Sequence, residues 1–311
     1  MQAGIYFVFL VLPTAYIFDR LFQEEEDVLL EPFDYERLKT DLKNSLYGQH
    51  IASEVVLKAV SGFMTDKRPS KPLVLSFHGG TGVGKNHVSN IIARNIYKKG
   101  ENMKHVHVFM SEHHFPHKEQ VETYKTQLKQ WIRGNVSSFP RSMFVFDEMD
   151  KMNPGLIDVI KHYLGYYPQL DGVSFRKAIF IFLSNAGGNV INKVVLGSRR
   201  DGEEREQLQM NSRDMETNIF KDVFGDRNSG FWHSTLIDAH LIDHFIPFLP
   251  LEYRHVHQCV LAEMAALNIT ANDGLADRVA RDMPYFPPEE KIFSVKGCKS
   301  VKQKLLHTER D

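Results

Sequence analysis

The chain is poor in cysteine: among its 311 residues only Cys259 and Cys298 carry a thiol. Two cysteines are too few to staple a fold, so a hydrophobic core must hold it, and 42% of the residues are hydrophobic. The pair can bond in an oxidising lumen or stay apart as buried thiols. Charge of one sign is also missing. The formal net charge is −1, which excludes the basic signature of a nucleic-acid binder or a membrane-surface protein. There are no internal repeats, and the acidic run Glu24–Asp27 is the only low-complexity tract. No apolar run reaches the ~20 residues that a membrane span requires.

The nearest approach to such a run is GIYFVFLVLPTAYIF, residues 4–18. Its length suits the apolar region of a secretory signal or a shallow anchor, although it lacks a basic n-region and Pro13 interrupts any helix. The expected division is a leader with acidic linker over 1–27, a large α/β domain over 28–250 and a small helical domain over 251–311. Asn135-Val136-Ser137 and Asn268-Ile269-Thr270 are N-glycosylation sequons and support a secretory route only weakly.

Apolar residues recur at helical spacing within 34–64, and LVLSF (73–77) is a strand apolar enough to be buried on both faces. A glycine-rich turn and a helix follow. A second strand is expected at 105–110, a helix at 119–133, a third strand over 143–150, a helix over 155–164 and a fourth strand ending at Ser184-Asn185. This alternation predicts a mostly parallel sheet flanked by helices. Residues 197–230 are polar and read as a mobile helical or loop insertion; 234–246 read as helical, and the prolines of PFLPLE (247–252) mark a boundary.

The turn after the first strand, HGGTGVGKNH (78–87), has the spacing of a phosphate-binding loop. Its candidate nucleotide contacts are Gly79, Gly80, Thr81, Gly82, Val83, Gly84, Lys85, Asn86 and His87. Glycines let backbone N–H groups face phosphates, the following helix adds its N-terminal partial charge, and Lys85 reaches the β- and γ-phosphates. The Ser or Thr that normally follows the lysine is missing. Asn86 stands there and offers an amide oxygen to Mg2+. About sixty residues on, FVFDE ends a strand in Asp147, a candidate Mg2+ ligand, and Glu148, a candidate general base. Asn185, at the tip of the next strand, can orient a water near the γ-phosphate. Lys299, in KGCK (296–299), can reach back to the nucleotide.

These elements in this order resemble the AAA+ ATPases. With HFPH (114–117), QWIRGNVS (130–137), FVFDEMDKM (144–152), GLIDVIKHYL (155–164), IFLSNAGG (181–188), SGFWHSTLID (229–238) and PFLPLEYRH (247–255), the chain resembles the torsin family, closest to the torsin-1 subgroup, over about 34–305. The resemblance accounts for the asparagine, since torsins carry GKN. It implies an AAA+ P-loop fold with a small C-terminal helical domain, ATP and Mg2+ as ligands, Glu148 as base, Asn185 as sensor 1 and Lys299 as sensor 2. It also implies residence in the endoplasmic reticulum lumen and nuclear envelope as a peripheral membrane protein, with self-association into oligomers or filaments.

One further residue is missing. Where related proteins place an arginine that acts on the neighbouring subunit's ATP, this chain has HLID (240–243), with Leu241 in that place. Such a residue contributes about 10³–10⁵ in rate. The resemblance implies that it comes instead from the luminal domain of a lamina-associated-polypeptide-type membrane partner. Arg199, Arg200, Arg205 and Arg227 read as solvated charges. The resemblance further marks Cys259 and Cys298 as redox candidates. Gly80 departs from relatives that carry a larger residue there, and suggests a more flexible loop. The readings that compete are an activator-dependent ATPase, a nucleotide-switched binding module and a luminal chaperone.

Overall fold

The computed structural model describes residues 30, 32–98, 102–211, 214–227 and 229–308. The leader and the acidic run lie outside the described residues. Asp34 caps the first helix, α1 (Tyr35–Ser45), through its carboxylate, which accepts from the Glu36 and Arg37 amides. Helix α2 (His50–Thr65) follows and buries Ile51, Val56, Val60 and Phe63.

Five strands form one parallel sheet in the order β2-β3-β4-β1-β5. They are β1 (Leu73–His78), β2 (Val106–Met110), β3 (Met143–Asp147), β4 (Ile179–Ser184) and β5 (His244–Pro247). All side chains of β1 and β4 are buried. Period-2 alternation then divides the core. Ile179, Ile181 and Leu183 join one apolar cluster, and Phe180 and Phe182 join the other. On the second face Phe144 packs on Phe180 at 5.1 Å and Phe146 on Phe182 at 5.2 Å between ring centroids.

Crossover helices cover both faces: α3 (Lys85–Ile96), α4 (Val121–Ser138), α5 (Gly188–Arg200) and α6 (Met215–Gly225). After β5 the chain forms α7 (Tyr253–Ala266), α8 (Asp273–Arg281) and α9 (Val301–Thr308). Between α8 and α9 lies an antiparallel two-strand ribbon, β6 (Tyr285–Phe286) with β7 (Phe293–Ser294). Val256, Val260, Val279 and Leu305 of these helices share the apolar cluster that covers β1.

Two readings need correction. Residues 234–246 are not a helix: Thr235–Asp238 make one helical turn, and His244–Pro247 form β5 beside β1. A four-residue apolar run is too short for periodicity to separate helix from strand; pairing with β1 decides. The helix expected over 155–164 is present at 157–164, with 3-10 geometry. The polar stretch 197–230 is no loose insertion, because α6 buries Met215, Ile219 and Val223 against the sheet's aromatic face.

Candidate nucleotide-binding site

In the register β1 to β4, His78 sits opposite Ser184, so the turn after β1 emerges beside Asn185. Strand β3 flanks β4 on its other side and ends at Asp147. The order of the strands, not their order in sequence, therefore gathers three turns at one edge of the sheet. With Lys299 they line a cavity of about 680 Å³. Every expected nucleotide residue from Thr81 to His87 borders it, as do Asp147, Glu148, Asn185, Cys259, Cys298 and Lys299. Gly79 and Gly80 are outside this lining, and their carbonyls accept from Lys85 Nζ. Ser45, Leu46 and Tyr47 close the cavity on the side of α1.

Lys85 is buried, and its three donors are all engaged: Nζ donates to Gly79 O and Gly80 O at 2.7 Å each, and to Asn185 Oδ1 at 3.0 Å. Burial lowers its pKa to about 8, against the opposing pull of Asp150 and Asp147. Asn86 Nδ2 donates to Asp147 Oδ2 at 2.7 Å. A carboxylate only accepts, so this contact must use the amide nitrogen. Asn86 Oδ1 is then the atom left for a cation. A serine hydroxyl does the same two jobs with one atom, donating to a carboxylate and offering a lone pair. Two hard oxygen donors, from Asn86 and Asp147, fit Mg2+.

Glu148 has a left-handed backbone, φ 59°, and its N–H donates to Asp147 Oδ1 at 2.8 Å. A strained backbone at a strand end turns successive side chains out of the strand's alternation. Its carboxylate meets Lys151 Nζ at 3.1 Å, and Lys151 also meets Glu112 at 2.7 Å. Asp150 is a residue that sequence reasoning missed. It accepts from Asn185 N at 2.8 Å and from Asn185 Nδ2 at 3.2 Å, which fixes the amide so that Oδ1 faces Lys85. The signal was the second aspartate in DEMD, two residues beyond Glu148.

The loop that carries Lys299 is docked on the phosphate loop. Cys298 N donates to Gly82 O at 3.0 Å, and Cys298 is disulfide-bonded to Cys259 of α7. Gly82 has φ +72°, and a Cβ there would overlap the Lys296 carbonyl, so only glycine permits this approach. At Gly80 a Cβ would meet open space, so packing does not dictate that glycine.

Gln49 was also missed. Its amide donates to Val83 O at 3.0 Å and Leu249 O at 2.8 Å and accepts from Leu249 N at 2.7 Å, tying α2 to the phosphate loop and to the linker before α7. Arg205 corrects the reading of solvated arginines. It is buried, and its guanidinium donates to Gly48 O at 2.6 Å and Pro250 O at 2.8 Å. Arg199 pairs with Glu252 and Arg200 with Glu290, and Arg227 is exposed. Leu241 is buried in the core, and Phe115 of HFPH is buried as well. The sequons lie away from the cavity lining. Asn135 is half-buried on α4 with Nδ2 donating to Trp131 O at 2.7 Å, and Asn268 is exposed in the turn after α7.

Two family models match the chain. One described as Torsin covers residues 22–146, and one described as Torsin-1A, C-terminal domain, covers residues 251–307. Among solved structures, the Hsp104–ADP complex of S. cerevisiae superposes with a TM-score of 0.63 at 16% identity, over 91% of this chain and 48% of that one. That likeness concerns the fold, and this chain spans about half the length of the Hsp104 chain.

Proposed function

The chain belongs to the torsin family and has the AAA+ ATPase fold, and we propose that it binds ATP with Mg2+ in the cavity above β1, β3 and β4 and hydrolyses it slowly unless a partner completes the site. The observation that carries this reading is the Asn86–Asp147 contact at 2.7 Å beside Lys85. A decayed loop would not keep an amide and a carboxylate matched in this way.

Each role follows from what the side chain can reach. The backbone N–H groups of the loop and the N-terminus of α3 receive phosphate oxygens. Lys85 exchanges its contacts with Gly79, Gly80 and Asn185 for phosphate. When bound, Mg2+ neutralises charge on the transferring phosphoryl group. Asn86 and Asp147 would hold it. Glu148 takes the proton of the attacking water once it leaves Lys151. Asn185 orients that water, and Lys299, on the loop docked at Gly82, adds positive charge from the C-terminal side.

Leu241 supplies no cation to a neighbouring subunit. The arginine therefore comes from another chain, and the luminal domain of a lamina-associated-polypeptide-type membrane protein fits that need. This reading places the protein in the endoplasmic reticulum lumen and nuclear envelope, where the Cys259–Cys298 disulfide can persist. Its work there would be chaperone-like remodelling of protein or membrane complexes, with self-association into oligomers or filaments. Membrane association would rest on the apolar leader; no helix among the described residues is long and apolar enough to cross a membrane. Asn135 and Asn268 would be the glycosylation acceptors.

A nucleotide-switched binding module is the second reading. It is favoured by the engagement of the Glu148 carboxylate with Lys151, which leaves the base occupied. Steady-state ATP turnover of the purified chain, alone and with the partner's luminal domain, separates the two. Stimulation by the partner that Glu148→Gln abolishes is the result expected of the ATPase. Partner binding that depends on ATP, with no turnover in either condition, would establish the switch instead.

A further inference from the structure

His78 has no part in the roles above, yet it is fully buried at the end of β1, directly before the phosphate loop. Its Nδ1 lies 3.1 Å from Ala186 O and its Nε2 2.6 Å from Ser76 Oγ. A carbonyl only accepts, so Nδ1 carries the proton and donates, and Nε2 accepts from the Ser76 hydroxyl. Burial lowers the pKa of the ring to about 4, so the neutral form that this arrangement needs persists at neutral pH. The ring is stacked on Phe245 of β5 at 5.6 Å, which fixes its plane.

Ala186 directly follows Asn185, and the polar groups of this turn are held from several directions. Asp150 takes Asn185 N at 2.8 Å, Ser184 Oγ takes Ala186 N at 3.1 Å, and Asp222 of α6 takes Gly187 N at 2.9 Å. The bond from His78 differs from these in its origin. It comes from the strand that runs into the phosphate loop, and so it joins the two turns between which the Lys85–Asn185 contact at 3.0 Å is made.

We propose that His78 is a positioning residue for Asn185, whose Nδ1–H bond to the Ala186 carbonyl holds the Asn185 turn in fixed relation to the phosphate loop. The proposal deepens the reading of Asn185 as the water-orienting group and rests on it. An ordinary buried histidine would satisfy its own polar atoms within its strand or its neighbours. This one spends its only N–H on the residue next to the functional amide.

Two polar variants of the full chain test it. In His78→Asn the N–H stays at the δ position and can still reach Ala186; in His78→Gln it moves to the ε position, toward Ser76. Hydrogen exchange at residues 184–188 of the nucleotide-free chain is expected to be about tenfold faster in His78→Gln and within about threefold of the parent in His78→Asn, with exchange in α4 unchanged in both. With the activating partner, His78→Gln is expected to lower kcat about tenfold at a KM for ATP within about twofold of the parent, and to add nothing in an Asn185→Ala background. Equal exchange in the two variants, or any other order, overturns the proposal, as does a multiplicative loss in the double variant. If the parent chain hydrolyses no ATP with any partner, the proposed function fails, and the exchange comparison still decides the role of His78.

Discussion

Asn86 and Asp147 stand sixty-one residues apart in sequence and meet at 2.7 Å, amide nitrogen to carboxylate oxygen. The contact predicts which substitutions the loop tolerates. Asn86→Thr keeps a donor for Asp147 and an oxygen for a cation, so Mg2+-dependent nucleotide affinity should fall by no more than about tenfold, or 1.4 kcal/mol. Asn86→Asp places two carboxylates in contact, and like charges at this range cannot both stay ionised without cost. Its affinity should be lost in the presence of Mg2+. Titration with a fluorescent nucleotide, with and without EDTA, measures both.

The buried Lys85 ammonium predicts a pH dependence. Phosphate binds the protonated form, and burial brings the pKa of Lys85 in the free chain to about 8. Below that value the lysine is charged and affinity is level. Above it, binding must take up a proton, so Kd should rise by up to about tenfold per pH unit. The stability of the nucleotide-free chain moves the other way. The unfolded chain holds the proton up to the ordinary value of 10.5, so this group destabilises the fold below about 8, and that cost is relieved as pH rises toward 10.5. Nucleotide titrations from pH 7 to 9.5 check the first claim, with Lys85→Arg as a variant that should show no such slope.

Gly82 should not tolerate alanine. Its φ of +72° strains any L side chain, and a Cβ would push the Lys296–Lys299 loop off the phosphate loop. Gly82→Ala should weaken nucleotide binding by more than about tenfold and leave the melting temperature within a few degrees. Reducing the Cys259–Cys298 bond releases the same loop from α7 and should act in the same direction to a smaller extent. Calorimetric titration of Gly82→Ala and of the reduced chain compares them.

Arg205 should be one of the costliest single substitutions outside the apolar core. Arg205→Met strands Gly48 O and Pro250 O without their partner and removes one of the cations around the Glu252 carboxylate, which keeps Arg199 and Arg254. Breaking a buried charge network in this way costs about 3–5 kcal/mol. Urea denaturation gives the number, and Arg199→Met, which removes a half-exposed contact with Glu252, should lie within about 1 kcal/mol of the parent.

The phosphate loop, Asp147, Glu148 and Asn185 were legible in the sequence because each lies where an apolar strand meets a polar turn. That junction is local: a run of buried side chains must end before backbone groups can face a ligand, and the residues at the break are written next to one another. The same rule made β1, β3 and β4 readable, since a strand buried on both faces is apolar throughout. Gln49 and Arg205 have no such mark, and Asp150 and His78 stand at such junctions with nothing local to say what they hold. Each acts through a partner brought close by the order of the strands or the return of the chain, and the same residue types would be unremarkable in a solvated loop. Strand β5 was lost for the same reason, because its four residues become a strand only beside β1. Local chemistry thus determined what the site contains. Only the packing of distant segments decided how its side chains are held, because that depends on distances that no spacing along the chain encodes.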